Sequence, residues 1–113
     1  MSTIFTKIIS KEIPADIIYE DSDYLAFKDI NPQAPIHILI IPKKEIQTVS
    51  HMKKEDTEIF GNLFYIAKKI AEKLEIEDQG FRLVMNCNEY GGQTVNHIHL
   101  HLLAGRRMGW PPG

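Results

Sequence analysis

The chain has 113 residues, 43% of them hydrophobic, and a formal net charge of -2. This length suits one domain with a modest core and is too short for two, so we expect residues 1–113 to form a single domain. Lysine and glutamate are spread without a basic block, which argues against a nucleic-acid partner. The single cysteine, Cys87, excludes an internal disulfide and fits a reducing compartment. No stretch approaches the roughly 20 apolar residues of a membrane span, so we expect a cytoplasmic protein with no membrane partner.

The first third of the chain predicts a short helix followed by three strands. Apolar residues at helical spacing indicate the helix over residues 4–9, and Pro14 ends it. Two β-rich runs, 17–20 and 24–27, flank a turn of aspartate and serine and are typical of a hairpin. The run 36–41 is apolar almost throughout, so we expect a strand buried on both faces.

The remainder predicts the main helix and two further strands. From about residue 54 to 74, apolar side chains follow the helical period, with lysine and glutamate on the opposite side. We predict a turn at 77–80, a strand at 81–86, a loop at 87–92 and a final strand at 95–103. This order favours an α+β domain with a mainly antiparallel sheet of five strands.

Three of the chain's five histidines, His97, His99 and His101, alternate along the last predicted strand. In an extended segment this spacing places all three imidazoles on one face and the apolar residues between them on the other. Each buried imidazole needs a hydrogen-bond partner, so packing alone seldom explains three in register. The pattern therefore indicates a functional site.

Two chemistries fit these histidines. In the first, His97 and His99 share a zinc ion, and His37 or Asp29 supplies a further ligand from another strand. A regular strand is too extended to bring all three alternating rings onto one ion. In the second, a neutral imidazole acts as a nucleophile, which near pH 7 requires no prior deprotonation. The spacing alone leaves the two about even.

The segment Gly91-Gly92-Gln93-Thr94 directly precedes the histidines and favours the second chemistry. Glycines let backbone N–H groups approach a ligand closely, and Gln93 and Thr94 add neutral donors. A phosphate held there would lie against the imidazole face, where attack on phosphorus would give a phosphohistidine intermediate. An ordinary hairpin turn is the competing interpretation.

The sequence resembles the histidine triad (HIT) superfamily, whose motif is His-φ-His-φ-His-φ-φ with φ apolar; residues 97–103 match every position. The similarity is greatest to the Hint branch, the purine nucleoside phosphoramidases. It extends through Ile4-Phe5-x-x-Ile8-Ile9, Asp29-Ile30-x-Pro32-Gln33-Ala34-Pro35-x-His37 and the ending Trp110-Pro111-Pro112-Gly113. The resemblance implies a HIT-like fold with one long and one short helix and a five-stranded sheet continued across a homodimer. Trp110 would lie at the dimer interface and help to shape the partner's site.

The resemblance also implies a role for each catalytic residue. His99 would be the nucleophile that becomes a nucleotidyl-histidine. His97 and His101 would flank it, His101 lying near the phosphate and the leaving group. His37 would complete the cluster from the neighbouring strand, and Thr94 would stand next to the leaving nitrogen. No metal ion and no cofactor are required.

The implied nucleotide pocket draws on more of the chain. Asp29 would hold the ribose hydroxyls, as a carboxylate can accept two hydrogen bonds at once. The purine would be enclosed by Ile4, Phe5, Ile8, Phe27 and Ile30. The phosphate would be surrounded by Asn86, Gly92, Gln93 and Thr94, with His99 and His101 beside it. Without the family, the apolar residues would be assigned to the core and Asp29 to a turn.

The leading hypothesis is an enzyme that hydrolyses the P–N bond of purine nucleoside 5′-phosphoramidates, such as AMP or GMP conjugates of amines, in two steps through His99. One alternative is hydrolysis of dinucleoside polyphosphates or another nucleotidyl substrate of the same superfamily. A second is metal-dependent hydrolysis through His97, His99 and His37, and a third is a nucleotide-binding scaffold with vestigial catalysis. The expected partners are a purine nucleotide and a second copy of the chain.

Overall fold

The computed structural model describes residues 2–113. The first half contains helix α1 (Ile4–Ile9) and strands β1 (Ile17–Glu20), β2 (Tyr24–Lys28) and β3 (Ile36–Pro42). Two 3-10 turns, Val49–His51 and Lys54–Asp56, lead into the long helix α2 (Thr57–Lys73). Strand β4 (Arg82–Val84), the one-turn helix α3 (Asn88–Gly91) and strand β5 (Leu100–Ala104) follow. Within residues 2–113, no helix is both long and apolar enough to cross a bilayer.

The five strands form one antiparallel sheet in the order β1-β2-β3-β5-β4. Helix α2 covers one face, where it packs against Ile38 and Ile40 of the central strand β3. Helix α1 covers part of the other face, where Leu39 and Ile41 are buried. These features confirm the α+β class, the antiparallel sheet and the strand β3 that is buried on both faces.

Helix α2 presents one apolar stripe to the sheet because its buried residues recur every three or four positions. They are Leu63, Ile66, Ala67, Ile70 and Ala71. The helix begins three residues later than predicted, after the turn Lys54–Asp56. The Asp56 carboxylate accepts hydrogen bonds there from the Lys44 ammonium at 2.7 Å and the Lys53 N–H at 3.0 Å, which fixes the start of the helix.

Strand β5 is shorter than the predicted 95–103, and the reason lies in Pro42. In the register between β3 and β5, Ile40 stands opposite Leu100, so Pro42 would come opposite Ile98. Proline has no N–H to donate, and the Pro42 carbonyl accepts from the His97 ring. The ladder therefore ends at Leu100, and His97 and His99 lie in an irregular segment before the strand.

The region between β4 and β5 also differs from the prediction. Strand β4 covers Arg82–Val84 instead of 81–86, because the partner strand β5 is itself short. The predicted loop 87–92 contains helix α3, which is closed by a hydrogen bond from the Asn88 N–H to the Gln93 side chain at 3.0 Å. Gly92 ends that turn with a φ of 81°, a left-handed conformation that favours glycine.

Candidate active site

The His99 ring has one nitrogen committed to the backbone. Its Nδ1 lies 2.7 Å from the carbonyl oxygen of His97, and because a carbonyl only accepts, Nδ1 carries the proton. Burial lowers the pKa of His99 below the ordinary value, so the ring is neutral near pH 7. Nε2 therefore keeps its lone pair. The Phe5 ring packs edge-on against His99 with 4.9 Å between ring centroids and shields this side of the imidazole from water.

The His37 and His101 rings are joined by a hydrogen bond, and a backbone contact determines which ring is the donor. The Gln33 N–H donates to His37 Nδ1 at 3.0 Å, so the proton of the neutral His37 ring is on Nε2. Nε2 lies 2.9 Å from His101 Nδ1 and donates to it, which places the proton of a neutral His101 on its own Nε2. That Nε2 is buried and has no hydrogen-bond partner among residues 2–113. The pair thus presents one unused N–H donor.

Burial keeps this pair neutral. It lowers the pKa of His37, and the nearby Asp29 carboxylate only partly opposes the effect. Burial, followed by repulsion from the His99 and His37 rings, lowers the pKa of His101 to about 4. The His99 and His101 rings lie 4.9 Å apart. A lone pair and an N–H donor therefore stand side by side at neutral pH.

His97 differs from the other two histidines of the motif because it faces the protein interior. It is only 1% exposed, and its Nε2 donates to the Pro42 carbonyl at 2.7 Å. Burial lowers its pKa as well. Its backbone carbonyl accepts the hydrogen bond from His99 Nδ1–H, so His97 supports the His99 ring.

A cavity of about 220 Å³ opens beside His99 and His101. Nine of the residues predicted for the nucleotide site line it: Ile4, Phe5, Ile8, Phe27, Asp29, Ile30, Thr94, His99 and His101. Its walls also contain residues that the sequence did not single out: Ile13, Pro14, Ala15, Lys28, Leu39 and Val95. The sequence places Leu39 in the predicted strand β3. That Leu39 stands opposite His101 depends on the register of the sheet.

The HIT domain family matches residues 10–108, a range that contains all four clustered histidines. The chain belongs to the HIT family. An uncharacterized HIT-like protein of Synechocystis sp. is 56% identical over 111 residues, which cover 98% of this chain and 96% of that protein. A 14 kDa zinc-binding protein of Zea mays is 55% identical over 113 residues, which cover 98% of this chain and 88% of that protein. The crystal structure of a HIT family hydrolase from Legionella pneumophila has a TM-score of 0.97 at 52% identity, covering 99% of this chain and 100% of that one.

The predicted phosphate loop of this HIT protein is only partly at the cavity. Thr94 lines it, whereas Asn86, Gly92 and Gln93 are not among the lining residues. The Gln93 amide nitrogen donates to the carbonyls of Gln47 and Val95 at 2.7 and 2.9 Å, and its oxygen accepts from the Asn88 N–H. The Gln93 side chain is thus committed to bracing the segment that leads into the histidines.

Asp29 makes a turn contact and also lines the cavity. Its Oδ1 accepts from the Asn31 N–H at 2.9 Å, which is the turn contact. Its Oδ2 lies 3.4 Å from His37 Nε2, and the carboxylate lines the cavity with 20% of its side chain exposed. A hydroxyl-bearing ligand can therefore reach it.

Asp29, His37 and His101 also form the one group among residues 2–113 whose ligand atoms lie close enough, within 4.8 Å of one another, to hold a metal ion. Two imidazoles and a carboxylate are ligand types that zinc accepts. However, the Gln33 N–H makes His37 Nε2 the protonated nitrogen, so a cation would have to displace the proton that joins the two rings. As it stands, the cluster fits a proton better than a resident metal, and His97 and His99 do not belong to it.

Trp110 lies away from this cavity. Its side chain is 82% exposed, and the Arg82 guanidinium carbon stands 6.0 Å from the ring centroid. Arg82 also donates to the Gly109 carbonyl at 2.8 Å, which anchors the tail beside the edge strand β4. Trp110 is therefore exposed and does not line the site of its own chain.

Proposed function

We propose that this HIT protein is a purine nucleoside phosphoramidase of the Hint type, a hydrolase that cleaves the P–N bond of nucleoside 5′-phosphoramidates. The observation that carries the proposal is the neutral His99, whose free Nε2 lone pair adjoins an N–H donor on His101 beside an apolar cavity. The close structural similarity to a HIT family hydrolase supports a hydrolytic reaction. The family resemblance supplies the P–N bond as the one that is cleaved.

In the first step, His99 Nε2 attacks phosphorus and the P–N bond breaks, giving nucleotidyl-His99 and an amine. The modified ring carries positive charge, which the hydrogen bond from Nδ1–H to the His97 carbonyl stabilises. The Nε2–H of His101 donates to a phosphoryl oxygen as negative charge develops there. The leaving nitrogen takes up one proton from solvent, with the Thr94 hydroxyl beside it.

In the second step, water attacks phosphorus and the bond to His99 Nε2 breaks. The product is the nucleoside monophosphate. The attacking water releases one proton, which balances the proton that the amine took up in the first step. His99 returns to its neutral state with Nδ1–H still donating to the His97 carbonyl. The complete cycle consumes one water molecule and requires no metal or cofactor.

The nucleoside would lie in the apolar part of the cavity. Phe5 and Phe27, which meet edge to face at 5.6 Å, would enclose the purine together with Ile4, Ile8 and Ile30. Asp29 would accept from the ribose hydroxyls. We further propose that residues 1–113 act as a single HIT domain that forms a homodimer in the cytoplasm, where the free thiol of Cys87 is compatible with a reducing environment.

The test is a phosphoramidase assay with adenosine and guanosine substrates, comparing wild type with His99→Ala. We expect turnover to fall by at least about 10³-fold, because no other group supplies the nucleophile. Binding of the nucleoside monophosphate, measured by calorimetry, should be retained. His51→Ala is the matched control, because His51 is an exposed histidine whose Nδ1 lies 2.7 Å from the Thr48 hydroxyl and which does not line the cavity.

Intact-mass measurement after rapid mixing separates the enzyme from a scaffold. Wild type should gain the mass of one nucleotidyl group, and His99→Ala should gain none. An undiminished rate in His99→Ala would end the proposal, and a wild type that never forms the adduct would favour a nucleotide-binding scaffold. If the adduct forms faster from a dinucleoside polyphosphate than from a phosphoramidate, the preferred substrates are dinucleoside polyphosphates.

A metal-dependent hydrolase is the second candidate, favoured by the cluster of Asp29, His37 and His101. Under our proposal, protein treated with a chelator and dialysed keeps its full rate. Added Zn²⁺ should slow the reaction, because the cation competes for the lone pair of His101 Nδ1 and displaces the His37 Nε2 proton. Activity that disappears on chelation and returns with stoichiometric Zn²⁺ would replace the covalent mechanism by the metal-dependent one.

A further inference from the structure

The tail after strand β5 contacts the residue that sets the direction of the His37–His101 pair. Arg106 Nη2 donates to the Gln33 carbonyl at 2.9 Å, across 73 residues of sequence. The N–H of the same Gln33 donates to His37 Nδ1 at 3.0 Å. Gln33, in an exposed loop, therefore accepts a hydrogen bond from the tail through its carbonyl and donates one to His37 through its N–H.

The other hydrogen bonds of the loop around Gln33 join residues that are close in sequence. The Asn31 N–H donates to Asp29, the Gln33 amide donates to the Asn31 carbonyl at 3.0 Å, and the Asp29 N–H donates to the His37 carbonyl at 3.0 Å. These bonds shape the turn but do not tie it to a distant element. The tail connects the loop to a distant element through the Arg106 hydrogen bond. The tail also packs closely against the loop, since a Cβ on Gly105 would lie 2.7 Å from Pro35 Cβ.

The direction of the ring pair depends on the Gln33 N–H. If this N–H leaves His37 Nδ1, the proton of His37 can move to Nδ1, and Nε2 becomes an acceptor. His101 must then donate from its Nδ1, and its Nε2 loses the proton. A lone pair would replace the donor that meets the phosphate. The Asp29 carboxylate, 3.4 Å from His37 Nε2, still favours the original arrangement, so the switch is partial.

We propose that Arg106 is a positioning residue for the reaction: by holding the Gln33 carbonyl, it keeps the Gln33 N–H on His37 and so keeps the proton on His101 Nε2. This inference rests on the proposed phosphoramidase function. Arg106 itself does not line the substrate cavity, so its effect acts on the chemical step and not on nucleotide binding.

Arg107 offers a matched control. It has the same charge, is also exposed, and follows Arg106 directly in the sequence. None of the hydrogen bonds or ion pairs found among residues 2–113 involves its side chain, and only its carbonyl is used, as an acceptor for Arg106. A loss in Arg106→Ala that is absent in Arg107→Ala therefore reports on the contact with Gln33 and not on local charge.

The kinetic experiment compares kcat and KM of Arg106→Ala, Arg106→Lys and Arg107→Ala with those of wild type. We expect kcat of Arg106→Ala to fall by between about 10-fold and 100-fold, a range typical of misplacement of a catalytic group, with KM nearly unchanged. Arg106→Lys and added guanidinium ion should each restore part of the loss, and Arg107→Ala should match wild type. An unchanged kcat in Arg106→Ala, or an equal loss in Arg107→Ala, would overturn the proposal.

The second readout is ¹⁵N NMR of the histidine rings, which reports protonation at each nitrogen and needs no substrate. In wild type, Nε2 of both His37 and His101 should be protonated and both Nδ1 atoms unprotonated. In folded Arg106→Ala, the His101 Nε2 signal should shift towards the unprotonated value. An identical pattern in both proteins would refute the positioning role, whereas absence of phosphoramidase activity in wild type would refute only the proposed function.

Discussion

In each of the four clustered histidines, the hydrogen-bond partner of one ring nitrogen determines whether the other ring nitrogen carries a proton. Backbone groups provide three of these partners: the carbonyls of Pro42 and His97 and the N–H of Gln33. A backbone group does not titrate in this range, so each contact selects one tautomer of a neutral ring. The outcome is a lone pair on His99 beside a donor on His101, the combination that attack on a phosphoryl group requires.

We predict that kcat/KM persists into acid. Burial lowers the pKa of His99 and His37 below the ordinary 6.5, and burial with repulsion between rings lowers that of His101 to about 4. A lowered pKa means that the neutral, reactive forms survive as the pH falls through 6.5. The rate should therefore stay level through that pH and decline only in more acidic solution, as His99 loses its lone pair.

The measurement is kcat/KM against pH at constant ionic strength, with circular dichroism to confirm that the protein stays folded. A half-maximal loss at pH 6.5 would show that the nucleophile titrates as an exposed histidine does, contrary to its burial. The profile of His51→Ala should coincide with that of wild type, since His51 lies outside the cavity.

The sequence was sufficient to single out the four clustered histidines but not the groups that their rings contact. The alternation of His97, His99 and His101 is visible as a pattern, and so is the isolated His37 in an apolar strand. The Pro42 carbonyl and the Gln33 N–H carry no such signal, because every residue except proline has both groups. The Pro42 contact joins segments that are distant in sequence, and the Gln33 contact depends on the backbone geometry of one turn; the residue types alone specify neither.

At the scale of elements, local apolar periodicity predicts the helices α1 and α2 and the strands β1 to β3. These segments end where local residues stop them, such as Pro42 for β3. The predicted strands 81–86 and 95–103 are too long because their ends depend on each other and on that proline. In the irregular segment before β5, the His97 carbonyl meets the His99 ring.

The junction between β5 and the tail yields an element-scale prediction: Gly105→Ala should lower the free energy of unfolding by about 1–3 kcal/mol. Gly105 has a φ of 93°, and an added Cβ would lie 2.7 Å from Pro35 Cβ. Both the backbone conformation and the contact oppose a side chain. Urea denaturation monitored by circular dichroism measures the change.

Gly109→Ala is the control for this substitution. It lies in the same tail, its φ is not in the left-handed region, and an added Cβ would have no heavy atom within 4 Å. We expect its free energy of unfolding to stay within about 0.5 kcal/mol of wild type. Equal stability of the two variants would mean that the tail does not pack against Pro35 in solution.

At the scale of the whole molecule, the two edges of the sheet are β1 and β4. An edge strand leaves backbone N–H and C=O groups unpaired and invites pairing with another chain. The tail anchored beside β4 carries the exposed Trp110. These features favour β4 as the edge through which the proposed homodimer continues the sheet.

Hydrogen exchange tests this dimer without a substitution. If β4 pairs with its copy, the outward amides of Arg82–Val84 should exchange more slowly at high protein concentration than after dilution below the dimer's dissociation constant. Amides of β1, the other edge, should exchange at the same rate in both samples, which makes β1 an internal control. Native mass spectrometry should find twice the 13.0 kDa of one chain in the concentrated sample. If the β4 amides exchange at the same rate at all concentrations and only the single-chain mass is found, this dimer is ruled out. Pairing of β4 with a second copy would necessarily slow the exchange of its outward amides.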